Sequence, residues 1–450
     1  MKTRFQLFIN RSGALAASWA ERFLPDPWIY AILLTVTAYC AALLLTEATA
    51  WETASAWHDG LWDRSILTLV AQFSINLILC TALARTPLLK RALARLARMP
   101  ATAPQAIWLI ALISVALSLI SWSFCVIGGV LFARETCQQA SKRGLQLHYP
   151  LAVAAGYVGM LTWGCGFTSS AVLITASPGH FLEPMIGIVP ISQTLGSWSN
   201  LLILAVLAVG APLLLATMHP QESIVECEEN PAPENESANK PSTPAERLEA
   251  SSVVLKIGSL LPLSYFIHYF FIQRAGLTID SMNLIFLVAT LLLYRTPRDM
   301  MEQLSRSSQG VWAIVFQFPF YSGLLGLIRE TGLGGVLADR FIAVSTELTW
   351  PAIGLIFQGT LNLFVPSGGA QWIVSGPILV RTSEVFGYSA AQAILIEVMG
   401  DQLTNMVQPM WALPALSLAG LQARQIMGYT AVVMIFAFFV MVVGLTLLPA

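Results

Sequence analysis

At 450 residues, 56% of them hydrophobic and only 11% charged, the chain has a mean hydropathy of +0.68 and less than half the roughly 25% charge of a soluble domain. Too little polar surface remains to cover a water-soluble body of this size, and 24 basic against 25 acidic residues leave no bulk basic field for nucleic acid. The six cysteines (Cys40, Cys80, Cys125, Cys137, Cys165 and Cys227) form no Cys-x-x-Cys pair, which argues against a disulfide framework or a zinc site.

Residues 1–25 begin Met1-Lys2-Thr3-Arg4 and continue as a mixed stretch without a clean apolar core or an Ala-x-Ala site. They predict an interfacial segment, not a removable signal. A membrane span needs about 20 mostly apolar residues. Crossings are therefore predicted at 26–46, 65–84, 150–176, 191–217, 253–273, 281–296, 307–330, 390–420 and 425–447. Two apolar segments, 105–133 and 350–380, are too long for one span and are interrupted by Ser121-Trp122-Ser123 and by Pro366-Ser367-Gly368-Gly369. Backbone freed at membrane depth is tolerated only against protein or a wet cavity, so both read as re-entrant helical hairpins. Ahead of the first, 85–99 sets Arg91, Arg95 and Arg98 opposite Leu89, Leu93 and Leu96, the pattern of a basic helix lying at the interface. Residues 218–250, rich in Glu, Pro, Ser and Asn, predict a disordered cytoplasmic linker. A linking transmembrane helix follows within 251–280.

Basic residues in short loops set orientation. Arg85, Lys90, Arg91, Arg95 and Arg98, then Lys142 and Arg143, then Arg295, Arg298 and Arg306, all fall on one side if both broken segments are hairpins. Loops 47–64 and 177–190 carry few basic residues and fall outside. The pattern places the N-terminus in the cytoplasm and the C-terminus in the periplasm. Residues 26–217 and 281–450 then repeat one order: two crossings, a connector, a broken hairpin, a broken helix and a closing crossing. The hairpins open from opposite sides. The fold class expected is an all-α membrane protein of two inverted repeats, with about nine crossings and two re-entrant hairpins, an arrangement typical of secondary transporters with a midplane site.

Four breaks are candidates for that site. The hairpin tips offer Ser121, Trp122 and Ser123 in one repeat, and Pro366, Ser367, Gly368, Gly369 and Gln371 in the other. The broken helices offer Gly164, Gly166, Thr168 and Ser169, and Asp401, Gln402, Thr404 and Asn405. Half-helix N-termini favour an anion and unwound carbonyls ligate Na⁺, while hydroxyls and amides add ligands without fixed charge. Ser121, Trp122, Ser123, Thr168, Ser169, Ser367, Gly368, Gly369, Gln371, Thr404 and Asn405 are accordingly expected to bind substrate. Gly164, Gly166, Pro366, Asp401 and Gln402 are expected to hold the coupling cation. A single Gly-Ser break is more often a packing contact or kink; four at matching places weigh against that. Asp401 is expected inside its break, where it would carry a cation or proton or merely cap the helix restart. Glu397, one turn earlier, is a second intramembrane carboxyl that could instead snorkel to the outer interface. No His-Glu-x-x-His, Gly-x-Ser-x-Gly or P-loop occurs, so no catalytic residue is assigned and an enzyme is not expected.

The strings Asn362-Leu-Phe-Val-Pro-Ser-Gly-Gly-Ala-Gln-Trp372 and Gly400-Asp-Gln-Leu-Thr-Asn-Met-Val-Gln-Pro-Met-Trp-Ala-Leu-Pro414 resemble the bacterial short-chain fatty acid transporter family. So do Leu24-Pro-Asp-Pro27, Leu161-Thr-Trp-Gly164, Phe318-Pro-Phe-Tyr321 and Gly332-Leu-Gly-Gly335. The resemblance implies movement of short monocarboxylates such as acetoacetate or butyrate across the inner membrane, coupled to Na⁺ or H⁺, on an elevator-type ion transporter architecture. It implies no other cofactor; the partners expected are the monocarboxylate, the bilayer and a second copy in a homodimer. Ser121 and Ser123 depart from the family's usual Asn-Trp-Gly tip, Cys165 stands for a Gly, and Ala370-Gln371 replace a Gly-His. Few Arg or Lys residues are expected near the site, which favours a monocarboxylate over dicarboxylate or amino-acyl anions. An anion channel would need a continuous polar pore.

Overall fold

The computed structural model describes residues 27–220, 224–225, 243–308 and 311–448; the expected interfacial segment and most of the expected linker lie outside them. Among the described residues the chain is helical and contains no strand. The first half runs α1 (Pro27–Leu45), α2 (Ala50–Leu61), α3 (Arg64–Ala84), α4 (Pro87–Leu96) and α5 (Ala103–Ile120). A π-helical turn, Phe124–Gly129, then leads into α6 (Val130–Ser141). There follow α7 (Tyr149–Tyr157), two 3₁₀ turns reaching Cys165, α8 (Ser170–Ala176) and α9 (Trp198–Thr217). The second half comprises α10 (Ser252–Ile267), α11 (Ile279–Leu293), α12 (Pro297–Ser307), α13 (Val311–Glu330), α14 (Leu333–Val344), α15 (Trp350–Phe364), α16 (Gly368–Val385), α17 (Ala390–Thr404), α18 (Pro409–Ala419) and α19 (Ala423–Leu447).

Five continuous helical stretches among the described residues are long and apolar enough to span a membrane, and α7 with its 3₁₀ turns makes a sixth with α8 across a 40° bend. Leu33, Val36 and Leu44 on α1, and Ile435, Phe439 and Val443 on α19, are exposed, as lipid-facing side chains must be.

The segment 47–64, expected as an outer loop, is mostly helix. Thr49 and Glu52 form a capping box that starts α2, and Asp63 accepts the Ser65 and Ile66 N–H groups to start α3. The α2 helix packs tightly on α13: a Cβ at Gly60 would lie 2.6 Å from the Ser322 carbonyl, and the Ser322 hydroxyl donates to the Gly60 carbonyl at 2.6 Å.

Both broken segments fold back on themselves. In the first, Arg143 Nη1 donates to the carbonyls of Arg98 and Pro100 at 3.0 and 2.9 Å, joining the open ends, while Gly128 faces Leu117 near the tip. In the second, Trp350 Nε1 donates to Ser383 Oγ at 2.9 Å, and Gln371 and Ser375 reach back to Gln358. The second turn arises because Pro366 lacks an N–H and disfavours helix at Val365. Val365 and Ser367 are accordingly non-helical, and α16 restarts at Gly368.

The first hairpin meets α7 at a glycine crossing. A Cβ at Gly156 would approach the Gly129 carbonyl to 2.5 Å, and one at Gly129 would meet the Gly156 carbonyl. Backbone cannot retreat as a side-chain tip can. Gly129→Val is therefore expected to destabilise the protein by about 3 kcal/mol or more, read as a lowered thermal midpoint in detergent.

At the ends of α7 and α9, His148 accepts the Val225 N–H on Nδ1 at 3.2 Å, and its own backbone N–H donates to His219 Nε2 at 3.1 Å. Burial, reinforced by the neighbouring His219, pushes the His148 pKa down from 6.5 to about 4. The folded protein therefore binds this proton more weakly than the unfolded chain. The stability that neutral His148 contributes is complete above about pH 6.5 and is lost as pH falls towards about 4. Thermal melts across that range should show a steeper loss in wild type than in His148→Gln.

Candidate substrate site

A cavity of about 620 Å³ lies where three of the four breaks and the start of α18, just past the fourth, come together. Its wall on that side is made by Trp122 and Ser123 of the first tip, by Trp163, Thr168 and Ser170 of the first broken helix, by Pro366, Ser367 and Gly368 of the second tip, and by Trp411 on α18. The opposite wall is α3 and α13, with Phe73, Asn76, Gln317, Phe318 and Tyr321. Trp122 and Trp411 stack edge to face at 5.1 Å, closing the apolar side.

The remaining expected site residues stand behind this wall. Ser121 Oγ lies 3.2 Å from Ser123 Oγ, which in turn lies 3.1 Å from Cys80 Sγ on α3. Gly164 donates its N–H to Gln402 Oε1 at 3.0 Å, tying the two broken helices together. Gly166 presses on the Leu119 backbone, and Phe167 N–H donates to the Leu119 carbonyl at 2.8 Å. Asn362 Nδ2 donates to Asp401 O, Thr404 Oγ1 and Asn405 Oδ1 at 2.8, 3.0 and 2.8 Å. Gln371 is fully buried against Gln358. Gly369 packs towards Phe318 and Ser170, and its neighbour Gly368 is the tip glycine that lines the cavity.

Asp401 is not in the break. The α17 helix continues to Thr404 and the interruption falls at Asn405–Gln408. Gly400 stays helical, and its bare Cα admits the Gln358 side chain of the second hairpin. Gln408 occupies the N-cap position of the helix restart, without a side-chain capping bond, and Pro409 its first position, so Asp401 does not act as its N-cap. Glu397 does not snorkel: it is 1% exposed, and its Oε1 has no hydrogen-bond partner. Both carboxyls are buried one helical turn apart, and among the described residues neither makes an ion pair. Two adjacent carboxyls in such surroundings cannot both carry charge without a cation between them. Asp401 Oδ2 lies 3.6 Å from where a Cβ on Gly368 would stand, directly behind the cavity wall.

Several buried polar atoms here lack partners: Trp163 Nε1, Thr168 Oγ1, Ser169 Oγ, Asn362 Oδ1 and Gln371 Oε1. Each such atom costs about 1–3 kcal/mol, and their gathering around the tips is what a polar ligand or ion would offset. With the first N–H groups of α16 also free of helical partners, the arrangement can hold a small carboxylate against aromatic walls.

Comparison with known proteins decides the family. The family model described as short chain fatty acid transporter matches residues 8–448. The chain belongs to the short-chain fatty acid transporter family. This transporter is 34% identical over 445 residues to an Escherichia coli protein, covering 98% of this chain and 100% of that one. It is 30% identical over 449 residues to a Haemophilus influenzae protein, covering 97% and 99%. Both relatives are named provisionally as short-chain fatty acid transporters. In fold, the transporter matches the Alcanivorax borkumensis YdaH transporter, described as having an unusual topology, with a TM-score of 0.60 at 12% identity over 94% of this chain and 97% of that one. It matches Neisseria gonorrhoeae MtrF, described within a class of antimetabolite efflux pumps, with a TM-score of 0.52 at 14% identity over 96% and 97%. The transporter is a multi-pass membrane protein and not an enzyme.

Sequence reasoning missed the α3 and α13 wall. Pro319 inside α13 was the available signal, since it strips a helical hydrogen bond beside Phe318 and Tyr321. It also missed Arg85 and Arg306, which line the cavity although few basic residues were expected near the site.

Proposed function

We propose that the transporter is a secondary carrier of short-chain monocarboxylates, acetoacetate and butyrate among them, across the bacterial inner membrane, driven by a Na⁺ or H⁺ gradient. The observation that carries this reading is the cavity between the hairpin tips, the broken helices and α3/α13, with orphaned polar atoms around it and two buried carboxyls behind Gly368. The carboxylate sits at the second tip, against Ser367, Gly368 and the start of α16, with Ser123 and Thr168 opposite. The acyl tail lies along Trp122 and Trp411. The cation or proton is carried at Asp401, close to Gly164 and Gln402.

The two halves work as inverted repeats, and the body bearing the hairpins moves against α3 and α13 in an elevator cycle. Residues 85–100 and 134–149 face the cytoplasm and 381–389 the periplasm. Single cysteines in the first two segments should be labelled from the inside only, and in the third from the outside only. Labelling of 134–149 from outside alone would overturn the hairpin topology.

Uptake into proteoliposomes tests the function. Labelled butyrate should accumulate under an imposed Na⁺ or proton gradient and compete with acetoacetate more strongly than with succinate. Accumulation that ignores both gradients would remove the coupling.

A further inference from the structure

We propose that Arg85, with Ser307 and Arg306, forms a second anion-binding subsite at the end of the cavity where α3 terminates, a station that receives the cargo's carboxylate on the basic-rich face before or after it occupies the hairpin tips. The inference rests on the monocarboxylate reading above. Arg85 is half-buried in the cavity wall and, among the described residues, has no ion-pair or side-chain hydrogen-bond partner. Ser307, on the same cavity, is 5% exposed and its Oγ has no partner. Arg306 adds charge, though its Nη2 already donates to Glu302 at 2.5 Å. The same cavity is also lined by the apolar Ile127, Trp312 and Ile314 and by Thr81 on α3.

Arg85 and Asp299 both act electrostatically on the Tyr294 side chain, but neither Tyr294 nor Asp299 pairs with the guanidinium, whose planar fork matches a carboxylate better than an ammonium would. The station lies towards the α3 end of the same cavity. Cys80 Sγ marks the first tip by its 3.1 Å contact with Ser123, and Arg85 lies five residues further along α3, about 7.5 Å at the helical rise. The bland alternative is that Arg85 only complements the C-terminal dipole of α3. That role would affect both faces of the transport cycle alike.

The test is butyrate transport by Arg85→Gln in proteoliposomes, with KM measured separately from each face. The expected result is a KM raised about tenfold from the face bearing Arg85 and unchanged from the other, which also shows that the variant is folded. Arg85→Lys should recover part of the loss, and Ser307→Ala should raise the same KM about threefold. A KM altered equally on both faces, or on neither, overturns the subsite; a phospholipid headgroup held there would give the second pattern. A transport-independent readout separates this inference from the cargo reading. In Ser307→Cys, a negatively charged methanethiosulfonate should react faster relative to a positively charged one, and adding Arg85→Gln should cut that ratio about tenfold. If wild type moves no monocarboxylate yet the ratio shifts, the cargo reading is at fault and the anion site stands. An unchanged ratio refutes the site.

Discussion

Asp401→Asn should abolish uphill uptake while leaving exchange of labelled for unlabelled substrate within about threefold of wild type. The carboxyl is 2% exposed, stands one turn from Glu397, and lies behind Gly368 on the cavity wall. Asparagine keeps its shape and hydrogen bonding but cannot balance a cation or accept a proton. Net accumulation against a gradient should fall by at least about a hundredfold, because two buried carboxyls become one and the ion loses its counter-charge. A helix-cap role is disfavoured by position: Asp401 precedes the last residue of α17 by three, and Gln408 holds the N-cap position of the restart. Gradient-driven accumulation equal to wild type in a folded Asp401→Asn protein would take Asp401 out of the mechanism.

Gly368→Val should eliminate transport altogether without unfolding the protein. A Cβ at Gly368 would sit 3.4 Å from Trp163 Cη2 and 3.6 Å from Asp401 Oδ2. The Cβ alone stands in ordinary van der Waals contact with these neighbours, and the two methyls beyond it intrude where the tip backbone meets the ligand. Uptake and exchange should both drop by at least about a hundredfold, with the thermal midpoint little changed. Gly368→Ala, one carbon smaller, should show a raised KM before a lost maximal rate. Gly369 makes a useful contrast, since its side faces Phe318 and Ser170; Gly369→Ala should be nearly silent. Full exchange activity in folded Gly368→Val would mean that substrate does not approach this tip.

Much of this arrangement was legible in the sequence for identifiable reasons. Pro366 and the paired glycines mark a turn that no uninterrupted helix could make, and the hairpin appears there with Val365 and Ser367 extended or near it. The Ser-Trp-Ser break works similarly, with Ser121 extended at the end of α5. Thr49-x-x-Glu52 was an equally readable start signal for α2, yet its polar residues made 47–64 resemble a loop; packing on α13 through Gly60 supplied what hydropathy could not show. Gly400 misled in the opposite direction. A glycine beside an aspartate suggests unwinding, whereas here it only admits Gln358. The opposing wall of the cavity was hidden because it depends on long-range packing: Arg85 and Arg306 are far apart in the chain and line one cavity only in the folded protein.

Counterflow tests the central claim most directly. Proteoliposomes loaded with unlabelled butyrate, diluted into a trace of labelled butyrate without any ion gradient, should accumulate label transiently above equilibrium. That overshoot requires a site open to one side at a time. Label that merely equilibrates, at a rate indifferent to internal butyrate, would contradict a carrier and indicate a channel.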